Sequence, residues 1–239
     1  MAKKTAFHKV FATVKATVPV WLSGPMRTAV TATLTPIMFS YNSGHFQSTL
    51  KRFPVSKYGE PIPWYSYPCV DFLRHRPFQE RIVLEFGGGQ STLWWATRAR
   101  NVVTVEEDGN WLARLAKKVP SNVDLYHIPS VDRNACVDSV VAMLGDRPES
   151  AYDVIVIDGL WRFELIDVAL RSLTSDGMII CDDADGYGFR DGFAGSGLSR
   201  VDFYGHVPGG AFPHVTSIFF PPASFAFQAS HDIPIAAFP

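Results

Sequence analysis

From residue 81 onward, short β-branched runs alternate with helical stretches, and few architectures accommodate that alternation. "RIVLEF", "NVVTVE", "NVDLYHI", "YDVIVID" and "GMIICDD" read as strands, and "STLWWATRA", "GNWLARLAKKV", "VDSVVAML" and "FELIDVALRSL" as helices. Strands separated by helices form a parallel sheet covered on both faces, an α/β doubly wound fold. Two later runs, "SRVDFYG" and "HVTSIFF", lack a helical pattern and are expected as strands six and seven, including an antiparallel edge pair.

With 239 residues, 47% of them hydrophobic, the chain can bury one good-sized core. A net charge of -1 gives no overall pull toward nucleic acid, which is not expected as a partner. Cys69, Cys136 and Cys181 are far apart and lack metal-knuckle spacing, which suits buried thiols and a cytoplasmic location.

Residues 1–64 differ in texture, rich in Pro, Thr and aromatics, and read as a helical and loop extension ahead of a domain at 65–239. They serve either as a structural skirt or as a lid over the pocket. The start, "MAKKTAFHKVFATVKATVPVWL", turns apolar after its lysines as a secretory signal does, but Lys9 and Lys15 interrupt the run. The next apolar run, "TAVTATLTPIMF", falls short of the roughly 20 residues that a membrane span needs. Phe7, Val10, Phe11, Val14 and Val18 share one helical face with lysines beside them. Residues 5–22 therefore fit an interfacial membrane helix or a helix packed on its own domain or on a second copy in a homodimer.

The stretch "RIVLEFGGGQSTLWWA" places Glu85 just before Gly87, Gly88 and Gly89 at a strand-to-helix turn. In a doubly wound sheet, ligands bind beyond the carboxyl ends of the strands, which is where this turn sits. The dinucleotide fingerprint needs a glycine where Thr92 stands, and a carboxylate at this place repels a pyrophosphate. A ligand carrying an ammonium and a sulfonium, S-adenosylmethionine, is attracted instead. Glu106 follows about twenty residues on at the end of the next strand, where an acid can accept both ribose hydroxyls.

"VLEFGGGQS" followed by "VVTVEED" resembles the first two motifs of class I S-adenosylmethionine-dependent methyltransferases. The resemblance covers roughly residues 65–220 and implies a mostly parallel, seven-stranded Rossmann-like sheet with the last strand antiparallel. It implies that Glu85, Gly87 and Gly89 border the methionine part of the cofactor and Glu106 the ribose, with adenine read by His127 to Ser130. Ser91 stands where many members keep a third glycine, and its hydroxyl can cap the helix.

Asp158 ends strand four, and Asp182 and Asp183 end strand five. Oxygen donors so placed suit Mg2+, and the pattern is similar to metal-dependent small-molecule O-methyltransferases of the catechol, caffeoyl-coenzyme A and macrocin types. Such an ion would acidify and orient an acceptor hydroxyl. The same acids also suit turn or capping roles, and Asp158 alone suits a base, a substrate anchor or a cofactor contact. His214 and Tyr187 are further base candidates.

The leading expectation is methyl transfer to a small-molecule hydroxyl. An aminopropyltransferase of the spermidine synthase kind is the alternative enzyme, although "DGLWRFE" lacks its acid-and-proline pattern after strand four. A non-catalytic scaffold subunit is the third reading.

Overall fold

The computed structural model describes residues 20–129, 132–145, 151–159 and 161–228. Seven strands form one sheet in the order β3-β2-β1-β4-β5-β7-β6. They are β1 (Ile82–Phe86), β2 (Asn101–Glu106), β3 (Val123–His127), β4 (Tyr152–Ile157), β5 (Leu173–Cys181), β6 (Ser199–His206) and β7 (Pro213–Phe220). The first five are parallel to one another, while β7 runs antiparallel to both β5 and β6. This is the doubly wound, mostly parallel sheet that the sequence pattern predicts.

Helices cover both faces, as β-branched strands buried on two sides require. On one face Leu84, Val103, Ile155 and Ile179 pack with α6 (Arg133–Leu144), α7 (Ile166–Ser172) and the short α8 (Phe189–Gly192). On the other, Val83, Val102, Val154 and Ile180 pack with α3 (Tyr67–Leu73), α4 (Gln90–Ala96) and a 3-10 turn at Phe225–Phe227. The helix after β2, α5 (Gly109–Leu115), starts where the Asp108 side chain accepts the Asn110 and Trp111 amides.

Parallel register fixes the geometry of the site. β1 lies between β2 and β4 with Leu84 opposite Val103 and Ile155, so Phe86, Val105 and Ile157 end at one level. The strand order reverses between β1 and β4, which opens a crevice beyond their carboxyl ends.

The extension begins with α1 (Val20–Asn42) and α2 (His45–Lys51), and a Val55–Pro61 bridge follows. α1 runs through Pro25 and Pro36 and contains the apolar run "TAVTATLTPIMF". Most of residues 5–22, the segment with the amphipathic pattern, lies outside the described residues.

Trp95 is inaccessible to solvent, stacks edge-on against Phe78 and Trp94, and donates from Nε1 to the Tyr65 hydroxyl at 3.3 Å. Trp95→Ala is expected to cost about 3–5 kcal/mol in a denaturant titration, because the cavity cannot close. A loss under 1 kcal/mol would show that α4 is not anchored through this ring.

Candidate active site

The turn after β1 is built from below. Glu85 shares its side of β1 with Val83 and faces α4, fully shielded from water. Its Oε2 accepts the Thr92 hydroxyl at 2.5 Å and the hydroxyl of its register partner Thr104 at 3.0 Å. The Oε1 atom makes no hydrogen bond of good geometry, although the Ser91 hydroxyl lies near enough to favour the charged form. Burial nevertheless pushes the carboxyl up to about 7, against the pull of the Ser91, Thr92 and Thr104 hydroxyls. The structure thus places Glu85 beneath the turn, outside the lining of the cleft.

Gly87 has φ of 94°, and a Cβ there would sit 2.8 Å from the backbone of Asp158 and Gly159. Only glycine allows the β1 and β4 ends to come this close. A Cβ at Gly88 would come 2.8 Å from Thr104 Cγ2. Gly89, the residue before α4, is extended and less constrained. Ser91 lies inside α4 as its second residue, so it lines the cleft and leaves the capping position to Gly89.

Every amide of the turn is occupied within the protein. Gly87 donates to the Val105 carbonyl at 2.9 Å, Gly88 to Glu106 Oε2 at 2.8 Å, and Gly89 to the Thr92 hydroxyl at 2.9 Å. Glu106 Oε1 accepts the amides of Glu107 and Asp108 at 3.0 and 2.9 Å. Three backbone amides therefore hold one carboxylate at the floor of the cleft, the charge-assisted kind of contact that fixes orientation best.

The cleft measures about 660 Å³. Its floor is Gly87 to Gly89 with Glu106; Trp111, on α5, forms one flank and donates from Nε1 to the Gly88 carbonyl at 2.7 Å. Arg52, Phe53 and Trp64 of the extension line it as well, so residues before 65 form part of its wall. His127 instead meets the Glu107 carbonyl at 3.1 Å, Ile128 is buried, and Ser130 lies outside the described residues.

Arg162, which the sequence reading passed over, organises the acids beyond β4 and β5. Its Nη2 lies 3.0 Å from Asp158 Oδ1 and its Nη1 3.4 Å from Asp183 Oδ2. Its guanidinium also donates to the carbonyls of Gly159 and Asp182 at 3.0 and 2.6 Å and covers the Tyr187 ring at 4.4 Å. Asp183 Oδ1 meets His214 Nδ1 at 3.1 Å, and buried Asp182 accepts the Thr216 hydroxyl at 2.7 Å. Burial drives Asp158 up to about 7, opposed by Arg162 and reinforced by Glu85 and Asp183. Burial, with Asp158 beside it, also raises Asp182 well above the usual carboxylate range.

This arrangement gives no support to the expected Mg2+ site at Asp158, Asp182 and Asp183. A guanidinium stands between two of the three carboxylates and Thr216 holds the third. Among the described residues no cluster of His, Cys, Asp or Glu has metal-ligating geometry. Counting acids at strand ends could not reveal the neutralising arginine, four residues after Asp158 and on a turn where Trp161 takes a left-handed φ of 55°.

No family model and no curated protein matches the chain. Solved structures do. Precorrin-6y C5,15-methyltransferase from Geobacter metallireducens GS-15 aligns with a TM-score of 0.52 at 16% identity, over 72% of this chain and 96% of its own. A methyltransferase-like protein from Silicibacter pomeroyi DSS-3 aligns at 0.50 and 19% identity, over 68% and 92%. The chain has the fold of class I S-adenosylmethionine-dependent methyltransferases.

Glu85 yields a pH signature. Its folded pKa lies near 7 and its ordinary value at 4.5, so the folded state holds the proton longer than the unfolded chain does. Stability is then highest below about pH 4.5 as far as this group is concerned, and it falls as pH rises toward 7, by about 3 kcal/mol. Asp158 and Asp182 act in the same direction. Denaturant titrations across this interval should show the decline, and Glu85→Gln should flatten it. An identical slope in the variant would mean that Glu85 is ionised in the folded protein.

Proposed function

We propose that the chain transfers a methyl group from S-adenosylmethionine to a small-molecule acceptor, at a hydroxyl oxygen. The observation that carries this reading is the occupancy of the glycine turn. Its three glycine amides are satisfied by Val105, Glu106 and Thr92, so the glycines themselves offer a phosphate no donor, while the floor presents the Glu106 carboxylate. A dinucleotide's pyrophosphate meets occupied glycine amides and a carboxylate at such a turn, whereas a cationic, phosphate-free nucleoside meets a carboxylate of the matching sign.

S-adenosylmethionine supplies a methyl group already activated by its sulfonium, so the protein's task is alignment and proton management. Glu106, fixed by three amides, retains lone pairs for the ribose hydroxyls. Trp111 offers an aromatic face beside them. Gly87 and Gly89 leave room for the methionine part, with Ser91 and Asp158 as the polar groups on either side.

The acceptor half of the cleft is the rim made by Asp183, Tyr187 and His214. With Nδ1–H donated to Asp183, the imidazole exposes Nε2 as an acceptor. It takes the hydroxyl proton of the acceptor as that oxygen attacks the methyl carbon. Arg162 keeps Asp158 and Asp183 apart, and His214, beside Asp183 at the rim, is the group assigned to move the proton. Asp182, held by Thr216 in a buried position, fixes the end of β5.

Calorimetry is expected to show S-adenosylmethionine binding to the folded protein, weakened by Glu106→Ala by on the order of 1–3 kcal/mol. A folded protein that binds neither this compound nor S-adenosylhomocysteine would overturn the reading.

With labelled S-adenosylmethionine and a panel of hydroxylated metabolites, transfer should persist in excess chelator, since Arg162 already compensates the acids. His214→Ala should lower kcat by roughly 10²-fold, typical of losing a general base, with cofactor affinity unchanged. Transfer abolished by chelation and restored by Mg2+ would reinstate a metal mechanism.

A further inference from the structure

Of the sixteen large hydrophobic side chains exposed among the described residues, nine lie between Val30 and Tyr58. From Gly24 to Phe39, α1 is exposed on every side except at Met26. It presents Leu34, Ile37, Met38 and Phe39 to solvent, and α2 exposes Phe46 and Leu50. A helix that leaves this many large apolar side chains in water gains when something covers them. A ring contact between Phe39 and Tyr67 ties the base of α1 to the domain and covers little of it.

Charge identifies the cover. Residues 1–59 contain eight Lys or Arg and no Asp or Glu; the remaining 180 contain fourteen against twenty-three. The described part of the extension carries Arg27, Lys51, Arg52 and Lys57 against one acid, Glu60, and Lys57 lies over the exposed Tyr58 ring at 5.1 Å. A second copy of the chain would bring two such cationic faces together, which repels. An acidic lipid surface accepts both the apolar side chains and the positive charge. No helix among the described residues is long and apolar enough to cross a membrane, so the contact is interfacial.

We propose that α1 and α2 form a docking surface for an anionic phospholipid bilayer, with Leu34, Ile37, Phe46 and Leu50 entering the headgroup layer and Lys51 and Lys57 meeting its phosphates. Because Arg52 and Phe53 follow α2 directly into the wall of the cleft, docking sets the cleft mouth beside the lipid surface. The inference does not depend on methyl transfer and is tested without it.

The full chain is floated with vesicles of phosphatidylcholine alone and of phosphatidylcholine mixed with phosphatidylglycerol. Binding is expected to the anionic vesicles only and to fall with salt. Each basic side chain near such a surface strengthens binding by roughly fivefold, so Lys51→Glu with Lys57→Glu should weaken it by at least about 25-fold. Phe46→Glu with Leu50→Glu should abolish it while circular dichroism and melting temperature stay unchanged, since both side chains are exposed. Flotation with neither vesicle overturns the proposal. So does concentration-dependent dimerisation in ultracentrifugation that the Phe46→Glu, Leu50→Glu variant removes without any vesicle binding by the parent, which assigns the face to a second copy.

Discussion

The Thr92 hydroxyl donates to Glu85 at 2.5 Å and accepts the Gly89 amide at 2.9 Å, coupling a buried carboxylate to the turn above it. Through that one side chain the first turn of α4, the end of β1 and, by way of Thr104, the neighbouring strand β2 are held together. An isolated carboxyl group in this position is costly, and its pKa near 7 records that cost. What offsets it is the local shape: with Gly89 fixed from below and Gly88 held sideways by Glu106, the turn keeps a single conformation before any ligand arrives. Such preorganisation is where a transferase that relies on alignment gains most.

Two arginines clasp opposite ends of the same strands. At the amino ends, Arg81 bridges Asp153 and Asp176 at 2.8 and 3.0 Å while the Ile82 amide donates to Asp153, locking β1 against β4 and β5. At the carboxyl ends, Arg162 spans Asp158 and Asp183. The chemistry is the same and the consequences differ. Arg81 lies over Phe225 at 4.0 Å, away from the cleft, and serves the sheet. Arg162 opens onto the cleft, so the charges it balances are the ones a substrate would feel.

The fold was legible because buried parallel strands write themselves as β-branched runs, and Glu106 was legible because an acid at the end of β2 has one place to point. Glu85 was harder. Leu84 and Phe86 pack on one face of the sheet and Val83 and Glu85 on the other, so strand alternation alone sends the carboxylate toward α4 and Thr92. Its nearness in sequence to the glycines suggested contact with a ligand, and its direction did not. Arg162 left still less signal. Within "DGLWRFE" it resembles any turn residue, and its role depends on Asp183, twenty-one positions away and itself in a left-handed conformation at φ of 48°. Contacts made across two loops carry no period for a sequence pattern to reveal.

The extension is similar in that respect, for its sequence separates it from the sheet and its hydrogen bonds do not. The Ser48 hydroxyl joins α2 to the strand-like segment at Val55, accepting its amide and donating to its carbonyl, both at 3.0 Å. His45 accepts the Gly209 amide at 3.3 Å from the turn between β6 and β7. Beyond Trp64, the Ser66 amide donates to Thr216, whose hydroxyl in turn donates to Asp182. These contacts tie α2 to Val55, two residues beyond the cleft-wall residue Phe53, and to the turn that precedes His214. α2 also bears the exposed Phe46 and Leu50, so that apolar surface is joined by hydrogen bonds to the turn ahead of His214.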